Sequence, residues 1–477
     1  MMHTPSTRTF SPNFILFVLC LGIFSTAIDQ TVIYGALNDI MFDLHMNVTD
    51  LDDASWIVIG YLLGYAAVLP LAGRVSDIYG HTRTYIWATL LFMGASGFII
   101  VADDLGLIIA ARVLQAIGGG AIVPASLAIV GDLYPAQRRA IALGIIGGAV
   151  EMGAALGPSF GGAVSEYLGW HWIFWIDIII GAIIIPVIYF TVRNTPGIPQ
   201  RVDYYGSLLA AVSLGLLVFG LSQQLHRSNA ELIMGISVAG SVVCAGLFLR
   251  RLIRTTSPLF RLTLFKQVRF SAANLTHFLV GGALIIALVG VPVMGYTLMG
   301  LGDVEVGLRL LRLTLAIPIG AVAGGFICNR FGYRLPTCVG LLLSCAGFLF
   351  MWRWTEAVAE PWLSVHLITC GFGFGLVISP IITAVIDSVK PGERGIASAL
   401  ITATRMIGMS IGLAFMNSVG MGHFHVAAAD INIDEFEEAL SPVALDLFQD
   451  FFFAGAIICL VTLLPAFWMG KRAKHQV

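Results

Sequence analysis

The sequence predicts an all-α, polytopic membrane protein with fourteen transmembrane helices, and three observations support this fold class. First, 58% of the 477 residues are hydrophobic and only 11% are charged, whereas an ordinary soluble domain is about 25% charged. Second, long apolar runs recur along the whole chain. Third, basic residues concentrate in every second connection between these runs, as expected for cytoplasmic loops. The composition therefore excludes a soluble enzyme and a disordered chain.

Charge and cysteine content exclude further classes of protein. The formal net charge is −2, from 26 Lys and Arg and 28 Asp and Glu, so no basic surface favours nucleic acid. The seven cysteines lie in or beside apolar runs and form no C-x-x-C pair. We interpret them as small packing residues and predict neither a disulfide framework nor a metal site.

Fourteen runs are long enough to span a bilayer, which takes about 20 mostly apolar residues per helix. Numbered in chain order as helices 1 to 14, they cover roughly 13–37, 54–73, 84–101, 105–130, 140–162, 170–191, 204–222, 232–249, 270–299, 306–328, 335–352, 363–386, 395–418 and 448–470. The loops and tails that remain leave no room for a soluble domain.

The basic residues set the orientation of the chain in the bilayer. With the N-terminus in the cytoplasm, nearly all Lys and Arg residues of the loops fall on the cytoplasmic side, and the outer loops hold only Arg227 and Arg353. We therefore predict a multi-pass protein of the cell membrane with both termini in the cytoplasm. The acidic outer segment 419–447 is either a short amphipathic helix, an extension of helix 13 or 14, or an acidic loop.

The chain contains an internal repeat. Gly73–Gly80 after helix 2 is echoed 252 residues later by Gly325–Gly332 after helix 10. Pro135–Arg138 before helix 5 is echoed 256 residues later by Pro391–Arg394 before helix 13. Two loops with nearly the same offset indicate two six-helix bundles in the same orientation. Parallel halves with a site at their interface are typical of transporters.

The repeat divides the chain into three predicted units. They are an N-terminal six-helix bundle over 1–192, an inserted two-helix hairpin with its linkers over 193–260, and a C-terminal six-helix bundle over 261–477.

Four motifs carry a resemblance to a known family. They are Ile28-Asp29-Gln30-Thr31-Val32 in helix 1, Gly73 to Arg83 between helices 2 and 3, Arg112 to Gly120 in helix 4 and Gly153 to Gly162 in helix 5. On these motifs the chain resembles the major facilitator superfamily, in its 14-helix drug:proton antiporter branch. The resemblance covers essentially the whole chain and implies the major facilitator fold and transport by alternating access. Trp56–Tyr65 and Val150–Gly153 also look like the mycobacterial triacylglycerol exporters.

Ionisable residues inside the apolar runs are the candidate proton-coupling residues, because each costs about 2.5–3.5 kcal/mol to insert. Asp29 in helix 1 and Glu151 in helix 5 are predicted to carry protons. Arg405 in helix 13 is predicted either to face them across a central cavity or to make a helix-packing contact. The alternative for each acid is permanent pairing with an Arg. The resemblance implies a role for Arg112 in proton transfer, with Gln115 one turn on. The alternative is that Arg112 snorkels or hydrogen-bonds loop carbonyls.

The motif between helices 2 and 3 predicts a cytoplasmic gate. Gly73 and Gly80 are expected to allow a tight reversal, since Gly reaches positive φ without a steric penalty. Asp77 is expected to face a helix N-terminus in the other half and so to close the cytoplasmic side. The chain departs from the family pattern at residues 78, 81 and 82, which leaves Arg83 as the last base of the motif.

The motif of helix 5 predicts close helix packing. Gly153, Gly157 and Gly161 share one face, Gly162 follows them, and Pro158 bends the helix. The resemblance implies an outer-side contact between helices 2 and 5 that restrains leak during export.

Two arginines at the outer end of helix 10 are unusual for this branch. Arg309 follows Glu305 by four residues, which predicts a local ion pair. Arg309 and Arg312 either snorkel to the outer surface or form a basic outer gate. His277 in helix 9 is expected to bond the backbone.

Together, the sequence and the resemblance predict a proton-coupled exporter of lipophilic, often cationic, compounds. It would be driven by the proton gradient without a cofactor and would work as a monomer in the bilayer. The alternative is a lipid exporter of the same fold that carries glycerides. The helix-5 motif makes a nutrient symporter less favoured. A membrane enzyme is also less favoured, because no H-E-x-x-H, G-x-S-x-G or P-loop motif occurs.

Overall fold

The computed structural model describes residues 11–46, 54, 56–192, 203–221, 230–255, 258–355, 358, 360–429 and 436–470. In this part of the chain all regular structure is helical, and fourteen helices are long and apolar enough to cross a membrane. The predicted all-α fold with fourteen transmembrane helices is therefore confirmed.

Helix 1 has two segments, and the other thirteen transmembrane helices are continuous. In chain order the helices are Pro12–Asp29 with Ile33–Asp43 (helix 1), Trp56–Tyr79, His81–Ile100, Leu105–Leu133, Ala136–Leu168, His171–Thr191, Tyr204–Leu221, Ala230–Arg254, Val268–Thr297, Asp303–Phe331, Arg334–Met351, Trp362–Ile386, Arg394–Ala429 and Phe436–Trp468 (helix 14). Short 3₁₀ helices at Leu262–Lys266 and Pro391–Glu393 precede helices 9 and 13.

Helix 1 begins and helix 14 ends on the same side of the membrane, here called the terminal face; the other side is the opposite face. Helices 13 and 14 have 36 and 33 residues. At 1.5 Å per residue each is roughly 50 Å long, against a hydrocarbon core of about 30 Å. Both therefore extend beyond the bilayer on the opposite face, as the second reading of segment 419–447 predicted, and residues 430–435 between them lie outside the described part.

The two bundles repeat the same helix pairings. In the N-terminal bundle, helices 2 and 3 pack on helix 4, helix 1 packs on helix 5, and helix 3 packs on helix 6. In the C-terminal bundle, helices 10 and 11 pack on helix 12, helix 9 packs on helix 13, and helix 11 packs on helix 14. The main contacts between bundles, helix 5 with helix 10 and helix 13 with helix 2, are also related by the repeat.

Helices 7 and 8 form a hairpin that packs on helix 2 through helix 7. Ser213 and Ser241 bind its two helices together, since each hydroxyl donates to the other's backbone carbonyl, at 3.0 and 2.8 Å. Residues 193–202 lie outside the described part, so the boundaries at 192 and 260 stay predictions.

Candidate functional site

Helix 1 is interrupted in its middle, directly after Asp29. The first segment ends at Asp29 and the second begins at Ile33. At the break, Thr31 donates its hydroxyl to the carbonyl of Ala154 in helix 5 at 2.8 Å, and Arg112 donates to the carbonyl of Asp29 at 2.7 Å. Side chains that insert beside the backbone in this way are a known cause of helix kinks. The break places the Asp29 carboxylate next to helix 4.

Arg112 of helix 4 lies at the centre of the N-terminal bundle and is fully buried. Its Nη1 donates to Asp29 Oδ2 at 2.8 Å and to Gln115 Oε1 at 2.7 Å. The guanidinium also lies over the ring of Tyr61, 4.3 Å from the ring centroid. The snorkelling interpretation of Arg112 is therefore wrong. Asp29 pairs with this base of its own bundle rather than with Arg405.

A third ionisable residue, Asp177 of helix 6, belongs to the same buried network. Ser25 donates to Asp177 Oδ1 at 2.7 Å, and Gln115 Nε2 donates to Asp177 Oδ2 at 3.3 Å and to Ser96 Oγ at 2.8 Å. The sequence analysis missed Asp177. The available signal was a single acid inside an otherwise apolar run, six residues after helix 6 begins.

Glu151 and Arg405 form an ion pair that joins the two bundles. Glu151 lies in the middle of helix 5 and is buried, and Arg405 lies eleven residues into helix 13 with a side chain that is 17% exposed. Helices 5 and 13 are equivalent in the repeat, and the two residues are 254 positions apart. The structure thus brings together the acid and the base that the sequence analysis placed on one cavity.

A cavity lies between the bundles beside Arg405. Apolar side chains from helices 4, 5, 12 and 13 form most of its wall, and Tyr65, His277, Thr402 and Arg405 add polar groups. His277 Nδ1 lies 2.9 Å from the backbone carbonyl of Ile401, which is the expected backbone bond. In the described residues its Nε2 has no hydrogen-bond partner. The cavity therefore offers one guanidinium and one free imidazole nitrogen in an apolar wall.

Asp77 joins the bundles at the terminal face. Its carboxylate accepts the backbone N–H groups of Gly395 and Ile396, at 2.8 and 2.9 Å, in the first turn of helix 13. These N–H groups have no partner within the helix, and the helix dipole favours an anion there. The contact expected from the sequence is present.

Two further ion pairs close the terminal face, and they are related by the repeat. Asp132 at the end of helix 4 pairs with Arg394 at the start of helix 13. Asp387 after helix 12 pairs with Arg139 at the start of helix 5, and the two acids, like the two bases, are 255 positions apart. The structural counterpart of Arg394 is thus Arg139, whereas the sequence repeat aligned Arg138 with it.

Of the two glycines of the motif between helices 2 and 3, only Gly80 has the role that was expected. Gly73 lies within helix 2, where a Cβ would stand 2.7 Å from the Gly395 carbonyl oxygen, so it permits close packing on helix 13. Gly80 alone makes the reversal, with φ of 96°. Among the departing residues, His81 places Nε2 3.5 Å from Asp132 Oδ2 and so joins the contacts of the terminal face. Arg83 lies in the first turn of helix 3 and is exposed.

The glycine face of helix 5 packs on helix 1, not on helix 2 as the resemblance implied. A Cβ at Gly153, Gly157 or Gly161 would collide with the backbone of helix 1. Gly35 of helix 1, which the sequence analysis missed, packs against this face. A Cβ there would overlap the carbonyl of Pro158 and the N–H of Gly162. The motif thus holds the broken helix 1 in place.

The two arginines of helix 10 lie on the opposite face within the C-terminal bundle. Arg309 Nη1 lies 2.8 Å from Met299 Sδ, and the predicted pair with Glu305 is absent from the described contacts. Arg312 pairs with Glu360, which precedes helix 12, and both side chains are exposed. This arrangement fits surface placement; a gating role stays a prediction.

The sequence matches a profile of the Major Facilitator Superfamily over residues 19–413. It is 36% identical over 429 residues to a triacylglyceride transporter of Mycolicibacterium hassiacum, covering 85% of this chain and 78% of the relative. It is 32% identical over 500 residues to a triacylglyceride transporter of Mycolicibacterium smegmatis, covering 95% and 87%. It is also 27% identical over 421 residues to multidrug resistance protein 3 of Bacillus subtilis, covering 88% and 81%.

Solved structures share the fold at low sequence identity. The proton:xylose symporter XylE superposes with a TM-score of 0.64 at 16% identity, covering 94% of this chain and 95% of that one. The human organic anion transporter MFSD10 gives the same score and identity, covering 94% and 100%.

Proposed function

Because this chain belongs to the major facilitator superfamily, we propose that it is a proton-coupled exporter that works by alternating access, with a neutral acylated lipid as its substrate. The observation that carries the proposal is the ion pair between Glu151 and Arg405. It joins the two bundles beside the central cavity, where a change in charge can act on both.

A proton on Glu151 removes the charge that attracts Arg405. The pair then loses its Coulomb term, and the guanidinium is free to turn to another partner in the cavity. Because the two residues lie in different bundles, losing the pair weakens one link between those bundles. Proton binding from one side and release to the other would thereby bias the equilibrium between two states. This is the coupling step of the proposed antiport.

The terminal face is closed in the conformation described here. Asp77 and the pairs Asp132–Arg394 and Arg139–Asp387 all join the bundles at that face. The distribution of basic residues favours placing this face in the cytoplasm. Export then requires these contacts to break for loading from the inner leaflet or cytoplasm and to form again before release outside.

The cavity favours a neutral acylated substrate over a cation. Its charged group is the guanidinium of Arg405, and the Glu151 carboxylate is engaged by that same base. Once a proton neutralises Glu151, a cation would meet the like charge of Arg405, whereas the ester carbonyls of a neutral lipid can accept from its guanidinium. The names of the mycobacterial relatives and the long outer ends of helices 13 and 14 support the same class.

Export of lipophilic cations is the second candidate. It is supported by the Bacillus subtilis relative, which is named a multidrug resistance protein. Structurally, Glu151 would become an acid facing the cavity if Arg405 swung away. The two candidates share the coupling step and differ in the substrate that triggers it.

The test uses purified protein in liposomes with an imposed pH gradient and a pH-sensitive dye in the lumen. We expect a fluorescent glyceride to move only when the gradient is present, with a simultaneous change in lumenal pH. Glu151→Gln should abolish both signals. Glu166→Gln, which makes the same change at an exposed position of the same helix, should retain them.

Each result bears on one part of the proposal. Glyceride movement that ignores the gradient, or that persists fully in Glu151→Gln, would overturn proton coupling. Proton movement triggered by ethidium without glyceride transfer would overturn the lipid assignment in favour of the cation.

A further inference from the structure

The buried network of the N-terminal bundle contains more acids than bases. Asp29 and Asp177 are both almost fully buried, and Arg112 is the base between them. If both carboxyl groups were ionised, the network would carry a net charge of −1 inside the membrane. An uncompensated charge in such a place is strongly disfavoured. One proton on the two acids removes it.

The hydrogen bonds differ between the two acids. Asp29 Oδ2 accepts directly from the Arg112 guanidinium at 2.8 Å. The hydrogen bonds of Asp177 come from neutral groups, among them the Ser25 hydroxyl at 2.7 Å and the Gln115 amide at 3.3 Å. A charged donor stabilises an ionised carboxylate about twice as well as a neutral donor does. The charge therefore belongs on Asp29 and the proton on Asp177.

The groups that face Asp177 come from each helix packed around it. Helix 1 presents Asp29 and Ser25, helix 3 presents Ser96, and helix 4 presents Arg112 and Gln115. Helix 2 contributes Tyr61, which lies against Arg112. Within the described residues, no second base reaches the network.

A protonated Asp177 also has a suitable acceptor for its O–H group. Ser25 Oγ lies 2.7 Å from Asp177 Oδ1, and a hydroxyl can both donate and accept. The same contact thus serves either direction of the hydrogen bond. Asp177 can lose and regain its proton without moving its neighbours.

We propose that Asp177 is a proton-binding residue, protonated in this conformation, and that with Asp29 and Arg112 it forms a proton site separate from the Glu151–Arg405 pair. Its role in export rests on the proposed function. Asp29 and Arg112 were singled out from the sequence, whereas Asp177 comes from the structure alone. The transporter then has one proton site between its bundles and a second inside the N-terminal bundle.

The test is infrared difference spectroscopy of the full-length protein between mildly acidic and mildly alkaline buffer. The signal is the carbonyl stretching band of a protonated carboxylic acid. The Glu151→Gln background removes the interface acid from this signal and does not depend on transport. We expect a band that is lost in Asp177→Asn and retained in Asp103→Asn, an exposed control.

Three more variants test how the charges and hydrogen bonds of the network affect this band. Asp29→Asn leaves one acid and one base, so the band should disappear. Adding Arg112→Gln to Asp29→Asn leaves Asp177 without a base, so the band should return. Ser25→Ala removes a contact of Asp177 alone and should shift the band. If Asp177→Asn does not fold, Asp177→Glu should shift the band instead of removing it.

The outcomes separate this inference from the proposed function. A difference spectrum that is the same in Asp177→Asn as in its parent, or that contains no band, would overturn the Asp177 site and leave the role of Glu151 untouched. Full export by Glu151→Gln would overturn the proposed coupling and leave the band intact. In the otherwise natural protein, Asp177→Asn should lower the number of protons moved per substrate, and an unchanged ratio would refute its part in export.

Discussion

The two six-helix bundles share their helix pairings but differ in what they bury. The N-terminal bundle buries Asp29, Arg112 and Asp177 where helices 1, 4 and 6 meet. In the C-terminal bundle, the position 254 residues after Arg112 is His366. It accepts from Trp354 Nε1 at 3.0 Å and stacks on Phe350, with the ring centroids 4.9 Å apart.

This difference indicates that the fold itself does not need a charged centre. The C-terminal bundle builds the same packing from aromatic and aliphatic side chains, such as Phe348, Phe374 and Phe452. Buried ion pairs are often no more stabilising than apolar residues of the same volume. The charged network of the N-terminal bundle is therefore better explained by transport than by stability.

The largest effect should come from removing the base of the charged bundle. Arg112→Gln leaves the buried Asp29 carboxylate without its base and should lower the free energy of unfolding by about 3–5 kcal/mol. His366→Gln at the equivalent position should lower it by roughly 1 kcal/mol, the value of one hydrogen bond. Thermal unfolding in detergent measures both. Equal losses in the two variants would contradict the contrast between the bundles.

The glycine faces should behave alike in both bundles, because the close contact of helix 1 with helix 5 recurs between helices 9 and 13. A Cβ at Gly157 would overlap Thr31 Oγ1, and one at Gly412 would lie 2.7 Å from the Gly282 carbonyl oxygen. Each change to Ala should cost about 1–3 kcal/mol of stability. Gly235→Ala in helix 8, where a Cβ meets nothing, is the control. A loss in only one bundle would show that the repeat does not extend to this packing.

The two ion pairs of the terminal face, Asp132–Arg394 and Arg139–Asp387, should also be equivalent. Asp132→Asn and Asp387→Asn each remove one charged partner of a half-buried Arg, which should favour opening of the terminal face by about 1–2 kcal/mol. A cysteine introduced at Thr402 in the cavity, in a background without native cysteines, reports opening through its rate of labelling from that face. Asp103→Asn is the control. A strongly unequal response would mean that one pair alone keeps the terminal face closed.

The smallest effect is expected at the Arg312–Glu360 pair on the opposite face of the C-terminal bundle. The positions 254 residues before Arg312 and Glu360 are Val58 and Gly106, so the N-terminal bundle has no counterpart there. Glu360→Gln should change the unfolding free energy by less than about 1 kcal/mol, because the pair is exposed.

The Glu360 contribution should depend on pH with a definite sign. The Ser364 hydroxyl, which donates to the carboxylate, and Arg312 hold the pKa of Glu360 below its usual range. A folded pKa below the unfolded one gives stability above the unfolded pKa that is lost as the pH falls through the folded value. The difference between Glu360→Gln and the natural protein should vanish in acid. A difference that grows in acid would refute this contact.

The sequence predicted most of the architecture and the candidate residues, but fewer of their contacts. Asp77 and the Glu151–Arg405 pair lie as expected, because motif and repeat both placed their helices. Gly73 was wrongly assigned to the turn, since its role depends on how closely helix 13 approaches. Asp177 was missed because a single acid in an apolar run has no partner visible in its own segment.

By itself, the sequence determined the number of spans, the internal repeat and the membrane class. These depend on apolar content summed along each segment, which is a local property of the chain. Only the tertiary structure decided which charges meet, because Asp29 and Arg112 are 83 positions apart, and Glu151 and Arg405 are 254 apart. The break in helix 1 and the packing of the glycine faces determine which of these residues come into contact. Both features arise from contacts between helices.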